Sequence, residues 1–127
     1  MPWNIKFHND NKIIKLDYSG LVTPQELKNA LDAAVALSEK EGITLFLADC
    51  SEMIGGHSVV DLYYFISLLE TTGISRIMKE ALLLPQMKSS VKDVEFYETA
   101  CSNRGLSVKV FPNIEDAIIW LYSEAIS

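Results

Sequence analysis

The chain has 127 residues, a length that predicts one domain over 1–127 and leaves no room for two. Its hydrophobic fraction of 49% excludes a disordered chain. The formal net charge is -6 and the eleven Lys and Arg residues are scattered, so nucleic acid and anionic membrane surfaces are poor partners. The two cysteines are far apart in sequence, do not form a disulfide framework, and are expected to be thiols.

Targeting and cofactor signals are lacking in the sequence. The first residues do not have the basic-then-apolar order of a signal peptide, and no apolar run approaches the ~20 residues of a membrane span. The expected location is therefore the cytoplasm. The two histidines are far apart and the cysteines have no metal-ligand spacing, so we expect no metal ion and no cofactor.

Two predicted strands open the chain. Ile5 and Phe7 alternate with polar residues, and Ile14, Leu16 and Tyr18 repeat that alternation after an Asn- and Asp-rich turn. Alternation on both sides of a turn is typical of an antiparallel hairpin whose strands are half-buried.

The first helix has a clear start and a clear stop. Thr23 is the predicted cap, Pro24 fits the first helical position, and Glu26 is expected to reach back to the cap amide. Gly42 ends the helix, and the apolar run 43–48 follows as a strand that ends at Asp49. A continuous apolar strand is covered on both faces, as in a parallel sheet.

Three more helices and two more strands follow with similar punctuation. The pattern predicts a helix over Val59–Leu69 capped by Ser58, a strand over Ala81–Leu84, a helix from Ser90 to about Arg104, a strand over Leu106–Val110, and a helix from Asn113. The order β-β-α-β-α-β-α-β-α predicts an α/β fold with a mixed, mostly parallel sheet of about five strands and about four helices.

Several segments together resemble a known family. They are Tyr18–Gly20, Thr23–Leu27, Phe46–Asp49, Phe96–Leu106, Val108, Val110–Phe111 and Glu115–Leu121. This set is similar to the SpoIIAA-like, STAS-type domains. The resemblance implies a small cytoplasmic α/β domain that acts as a regulatory or protein-interaction module, with relatives similar to the CRAL-TRIO lipid-binding fold.

The chain departs from that family at the start of the second helix. Anti-anti-sigma members carry an Asp-Ser-Ser/Thr-Gly phosphoacceptor motif there, whereas residues 54–59 read Ile-Gly-Gly-His-Ser-Val. Ser58 is the one hydroxyl near that place, so the resemblance does not carry a kinase-driven partner switch over to this chain. Gly55 and Gly56 before a helix are read as a tight turn, with an anion site as the alternative.

The second predicted helix is the most informative segment. Only Asp61 and Ser67 are polar between Val59 and Leu69, so the helix is apolar nearly all round, and one sheet can bury only one side of it. The other side is covered by a partner protein, by a second copy, by an apolar ligand, or by the segment Thr71–Lys79. The candidate interface or ligand residues are Val60, Tyr63, Tyr64, Phe65 and Leu68.

The predicted loop from Asp49 to Ser58 is the second candidate site, because open α/β sheets bind ligands beyond the carboxyl ends of their strands. Its candidate residues are Asp49, Cys50, Ser51, His57 and Ser58. A Cys-His pair suggests a nucleophile and a base, but no orienting third residue is evident.

The sequence thus predicts a non-enzymatic regulatory or protein-interaction module that self-associates as a homodimer through its second helix. One alternative is a binder of an apolar small molecule or lipid. A less favoured alternative is an enzyme that depends on a cysteine and a histidine.

Overall fold

A computed structural model describes residues 2–8, 11–54 and 57–123. Its elements follow the predicted order β-β-α-β-α-β-α-β-α. They are β1 (Trp3–His8), β2 (Ile13–Leu21), α1 (Pro24–Glu41), β3 (Leu45–Ile54), α2 (Val59–Glu70), β4 (Lys79–Leu83), α3 (Lys88–Asn103), β5 (Ser107–Phe111) and α4 (Ile114–Tyr122).

The five strands form one mixed sheet in the order β1-β2-β3-β4-β5. β1 is antiparallel to β2, and every later neighbour is parallel, as the sequence predicted. Right-handed crossovers that advance steadily in one direction place their helices on the same face of the sheet. The first three helices accordingly share one face, and α4, which follows the last strand, packs on the other.

The sheet separates two apolar cores. The larger core lies under α1, α2 and α3 and receives Ile14, Leu16 and Tyr18 from β2. The smaller core lies under α4 and includes Leu47, Ala81 and Leu83 among others. Both faces of β3 and β4 are therefore covered, which explains why these strands read as continuous apolar runs.

The helix caps lie close to the predicted places. The Thr23 hydroxyl accepts a hydrogen bond from the Glu26 amide at 3.2 Å, and Gly42 ends α1 with a φ of 70°. The Asn113 side chain accepts from the Asp116 amide at 2.9 Å. The predicted back-contact of Glu26 is wrong: its carboxylate instead accepts a 2.8 Å hydrogen bond from the Trp3 indole, because β1 lies beside the start of α1.

The third helix starts earlier than its sequence indicated. It begins at Lys88, its cap residue Met87 makes no side-chain cap hydrogen bond, and Ser90 lies fully buried within the first turn. Ser90 was predicted as the opening residue because serine favours caps, but here the extended backbone of Met87 precedes the helix and Ser90 packs inside it.

The third strand runs further than predicted. A register shift between Asp17 and Ser19 lets β2 continue its pairing, so that Leu21 pairs with Ile54. The extra pairing keeps the chain extended beyond Asp49. Three residues that were predicted to lie in a loop, Asp49, Cys50 and Ser51, are therefore strand residues.

Candidate functional site

The solvent side of α2 is uncharged. Leu62, Ile66 and Leu69 are buried and fix which side of the helix meets the sheet. The exposed positions of α2 are Val59, Val60, Tyr63, Tyr64 and Ser67. We call the first four the α2 face; Val60 is 76% exposed and Tyr64 60% exposed. A surface helix ordinarily shows charged and polar residues on this side, so the α2 face is unusual.

Tyr63 is held in place while Tyr64 points outward. The rings of Tyr63 and Phe96 of α3 pack edge to face, with centroids 5.3 Å apart and an interplanar angle of 87°. The Arg104 guanidinium lies 5.3 Å from the Tyr63 ring centroid and pairs with Glu70 at 3.0 Å. One tyrosine is thus pre-ordered before any partner arrives, which lowers the entropy cost of contact.

Two of the candidate interface residues lie elsewhere. Phe65 and Leu68 are partly buried on the flank of α2, and the Phe65 ring packs 5.9 Å from that of Tyr97. Phe65 was predicted as an interface or apolar-ligand residue; its ring packs against the larger core and lines a cavity of about 50 Å³ there, so it is not among the exposed positions of α2.

The segment after α2 does not cover the α2 face. Ile74 and Met78 are buried in the larger core, and Arg76 donates a 2.9 Å hydrogen bond to the Arg104 carbonyl. The cavity beside this segment has a volume of about 30 Å³. That volume is far below the ~300 Å³ of an ordinary ligand site.

Further apolar surface lies at the ends of two strands. Leu21 and Ile54 are 69% and 40% exposed, and they pair with each other where β2 and β3 end. Because α2 follows β3 in the chain, Leu21 and Ile54 add uncharged surface near the start of α2.

His57 ties three elements together. Its ring Nε2 hydrogen-bonds the Val22 carbonyl, and its Nδ1 lies 3.6 Å from an Asp93 carboxylate oxygen. Its backbone amide donates to the same carboxylate at 3.3 Å. The side chain is only 4% exposed, so the residue connects the start of α2 to the start of α1 and to α3.

The proposed Cys-His nucleophile is not assembled. Cys50 is 2% exposed and points into the larger core, and burial raises the pKa of its thiol far above the usual value. Both ring nitrogens of His57 face Val22 and Asp93. A buried, protonated thiol whose proposed base is bound to other groups is not an activated nucleophile.

The remaining loop candidates have structural partners. The Ser51 hydroxyl donates to the Asp49 carboxylate at 2.6 Å, both of them on the sheet face opposite Cys50. Ser58 caps α2: its hydroxyl accepts from the Asp61 amide at 3.0 Å, and the Asp61 carboxylate accepts from the Ser58 amide at 3.3 Å. Gly55 and Gly56, predicted as a turn or anion site, lie outside the described residues.

The larger core contains a polar group that was not among the predicted site residues. Glu80 lies on β4 and lines a cavity of about 50 Å³ between the sheet and the three helices. The Tyr97 hydroxyl donates a 2.7 Å hydrogen bond to it. A signal for it exists in the strand, because Glu80 stands two positions from Leu82, which points into the same core.

The surroundings change the acidity of Glu80. Desolvation raises the pKa of its carboxyl from 4.5 to about 7, although the hydrogen bond from Tyr97 acts in the opposite direction. Burial likewise raises the pKa of Tyr18, Tyr97 and Cys101, so these neighbours stay protonated at neutral pH. Of these four groups, the carboxyl is thus the one that titrates near pH 7.

Comparison by sequence finds no relative of this chain. No protein-family model matches it, and no curated protein matches it in sequence. Within the described ranges, no helix combines the length and apolar character of a membrane span.

Three solved structures are similar over nearly the whole chain. An anti-sigma factor antagonist from Mycobacterium paratuberculosis has a TM-score of 0.64 at 14% identity and covers 95% of this chain and 93% of its own. A protein with a SpoIIAA-like fold from Shewanella loihica has a TM-score of 0.56 at 20% identity, with 94% and 91% covered. The anti-sigma factor antagonist SpoIIAA in its unphosphorylated form has a TM-score of 0.55 at 8% identity, with 92% and 94% covered. At these identities the likeness concerns the fold, and the chain has the SpoIIAA-like fold that its sequence pattern resembles.

Proposed function

We propose that this chain is a non-enzymatic protein-interaction module that self-associates through the α2 face. The observation that carries the proposal is the uncharged solvent side of α2, with Val60 and Tyr64 more than half exposed. Exposed apolar patches on a surface helix mark interaction sites, and tyrosines are favoured anchors in such sites.

A second copy fits this surface for reasons of charge and shape. The chain carries a net charge of -6, but no charged side chain stands among the exposed positions of α2. The exposed positions of two copies can therefore meet without burying like charges, with the paired Arg104 and Glu70 at the edge of the contact. The two valines lie one turn before the two tyrosines, so two antiparallel α2 helices would place the tyrosines of one copy over the valines of the other, an isologous contact.

The fold is compatible with a regulatory role. Two of the similar structures are anti-sigma factor antagonists, and such an antagonist acts on another protein, the anti-sigma factor. This supports a protein-interaction function for the present chain. If the chain is monomeric in solution, a different protein is the expected partner at the α2 face.

The proposal predicts a dimer that a single charge weakens. Tyr64→Glu would place a carboxylate in the contact, and we expect the dissociation constant to rise by about 30-fold or more, the equivalent of about 2 kcal/mol. Ile119→Glu is the matched control, because Ile119 is 69% exposed on α4, across the sheet from α2.

Light scattering after size-exclusion chromatography measures the outcome across a dilution series in the micromolar range. Unmodified protein and Ile119→Glu should be dimeric, and Tyr64→Glu should be monomeric at the same concentration. A wild-type chain that stays monomeric throughout, or equal loss of dimer in both variants, would contradict self-association through the α2 face.

A further inference from the structure

The cavity at Glu80 has unsatisfied hydrogen-bonding capacity. Tyr18 is 8% exposed and lines the cavity, and in the described part of the chain its hydroxyl has no hydrogen-bond partner. No fully enclosed side-chain polar atom of the described residues lacks a partner. The Tyr18 hydroxyl therefore reaches open space, and the Glu80 carboxylate beside it is bonded by Tyr97 at one oxygen.

The walls around these two groups are aromatic and apolar. Tyr18, Phe65 and Tyr97 line both this cavity and the adjoining one of about 30 Å³. Met53 and Leu62 complete the apolar side. A carboxylate in such a setting is costly unless a cation pairs with it, and aromatic faces also attract organic cations.

We propose that this cavity binds the ammonium end of a compact primary alkylamine. The Glu80 carboxylate is the counter-ion, the Tyr18 hydroxyl accepts a hydrogen bond from the ammonium group, and the alkyl part lies against Leu62 and Met53. This site is independent of the α2 face, and its test does not depend on self-association.

The volume limits the ligand. A single water needs roughly 10 to 15 Å³ of such space, so about 50 Å³ holds an amine of about three or four heavy atoms. The Glu80 carboxylate selects the sign of the ligand, because the acidic Asp93 and the basic His57, which also line the cavity, lie 3.6 Å from each other and are paired.

Three probes of equal length distinguish charge from shape: n-propylamine, n-propanol and propionate. Titrations followed by amide chemical shifts in NMR spectra should show saturable binding of the amine, at least tenfold weaker binding of the alcohol, and none of the carboxylate. Equal affinity for amine and alcohol would reject the ionic contact, and no saturable amine binding at millimolar concentration would mean that the cavity holds only water.

Variants separate the roles of the two polar groups. Glu80→Gln should weaken amine binding by tenfold or more, and Tyr18→Phe by a few-fold. Asp17→Asn is the matched control: it also removes one negative charge, but Asp17 pairs with Lys6 and Lys15 on the opposite face of the sheet. A folded Glu80→Gln protein that binds the amine as tightly as Asp17→Asn would overturn the proposal.

The pH dependence gives an additional readout. Since the pKa of Glu80 is about 7, the ionised fraction and hence the amine affinity should rise about tenfold between pH 6 and pH 8. The groups that face Glu80 from β2, β3 and α3 are Tyr18, Cys50, Tyr97 and Cys101, whose raised pKa values keep them protonated. His57 and Asp93 also line the cavity. If the rise persists in Glu80→Gln, it does not belong to Glu80, and the assignment of the counter-ion is wrong.

Discussion

Replacement of Glu80 by glutamine is expected to stabilise the protein by about 2 kcal/mol at pH 8. A pKa raised from 4.5 to about 7 means that the fold disfavours the ionised carboxylate by about 3 kcal/mol relative to the unfolded chain. Because part of the Glu80 surface remains open to the cavities, we reduce that figure to about 2 kcal/mol. Glutamine keeps the shape and can still accept a hydrogen bond from Tyr97.

The sign of the pH dependence follows from the direction of the pKa change. The contribution of Glu80 to stability is fully present below its unfolded pKa of 4.5 and is lost as the pH rises to about 7. Urea unfolding at pH 4 and pH 8 should therefore show a gap between Glu80→Gln and wild type that opens with rising pH. Glu95→Gln on the exposed side of α3 is the control, and no gap is expected there. A wild type and a Glu80→Gln variant with the same pH profile would show that Glu80 is well solvated in the fold.

Truncation of Ile66 to alanine is expected to destabilise the protein by about 3 kcal/mol. Ile66 is 0% exposed in the larger core, and loss of buried methyl groups costs the transfer free energy plus a cavity term. Val60→Ala on the same helix is the comparison, because Val60 is 76% exposed and its truncation should change monomer stability by less than about 0.5 kcal/mol.

Chemical denaturation at dilute protein concentration measures both variants without a contribution from self-association. The pair tests which side of α2 is core and which side is surface. Similar destabilisation by both substitutions would mean that Val60 is covered within one chain, and the case for a partner at the α2 face would then be lost.

The element order was predictable because local signals agreed with the global pattern. Thr23, Ser58 and Asn113 cap helices where predicted, and the continuous apolar runs of β3 and β4 are covered on both faces. Local preference and tertiary contact act in the same direction at these places, which makes sequence reasoning reliable there.

Other features depend on tertiary contact alone. The extension of β3 past Asp49 arises from the register shift in β2, which no residue in β3 signals. The partly buried position of Phe65 was not predictable, because a helix that is apolar nearly all round has no sequence pattern that fixes its rotation. That rotation is set by Leu62, Ile66 and Leu69 in contact with the core.

The contacts of His57 and Glu80 were beyond sequence reasoning for a similar reason. His57 meets Val22 and Asp93, which lie 35 and 36 positions away in sequence. Glu80 meets Tyr97 across 17 positions, and the strand alternation that places Glu80 on the same side as Leu82 does not identify this partner on α3.

The most direct test of self-association through the α2 face is disulfide cross-linking between two variants that each add one cysteine to the native pair, Val60→Cys and Tyr64→Cys, mixed in equal amounts. The native Cys50 and Cys101 are buried at 2% and 0% exposure and should not compete. Mass spectrometry under mild oxidation should find the mixed 60–64 dimer forming faster than dimers of an Ile119→Cys control. Cross-linking no faster than that control would contradict the account.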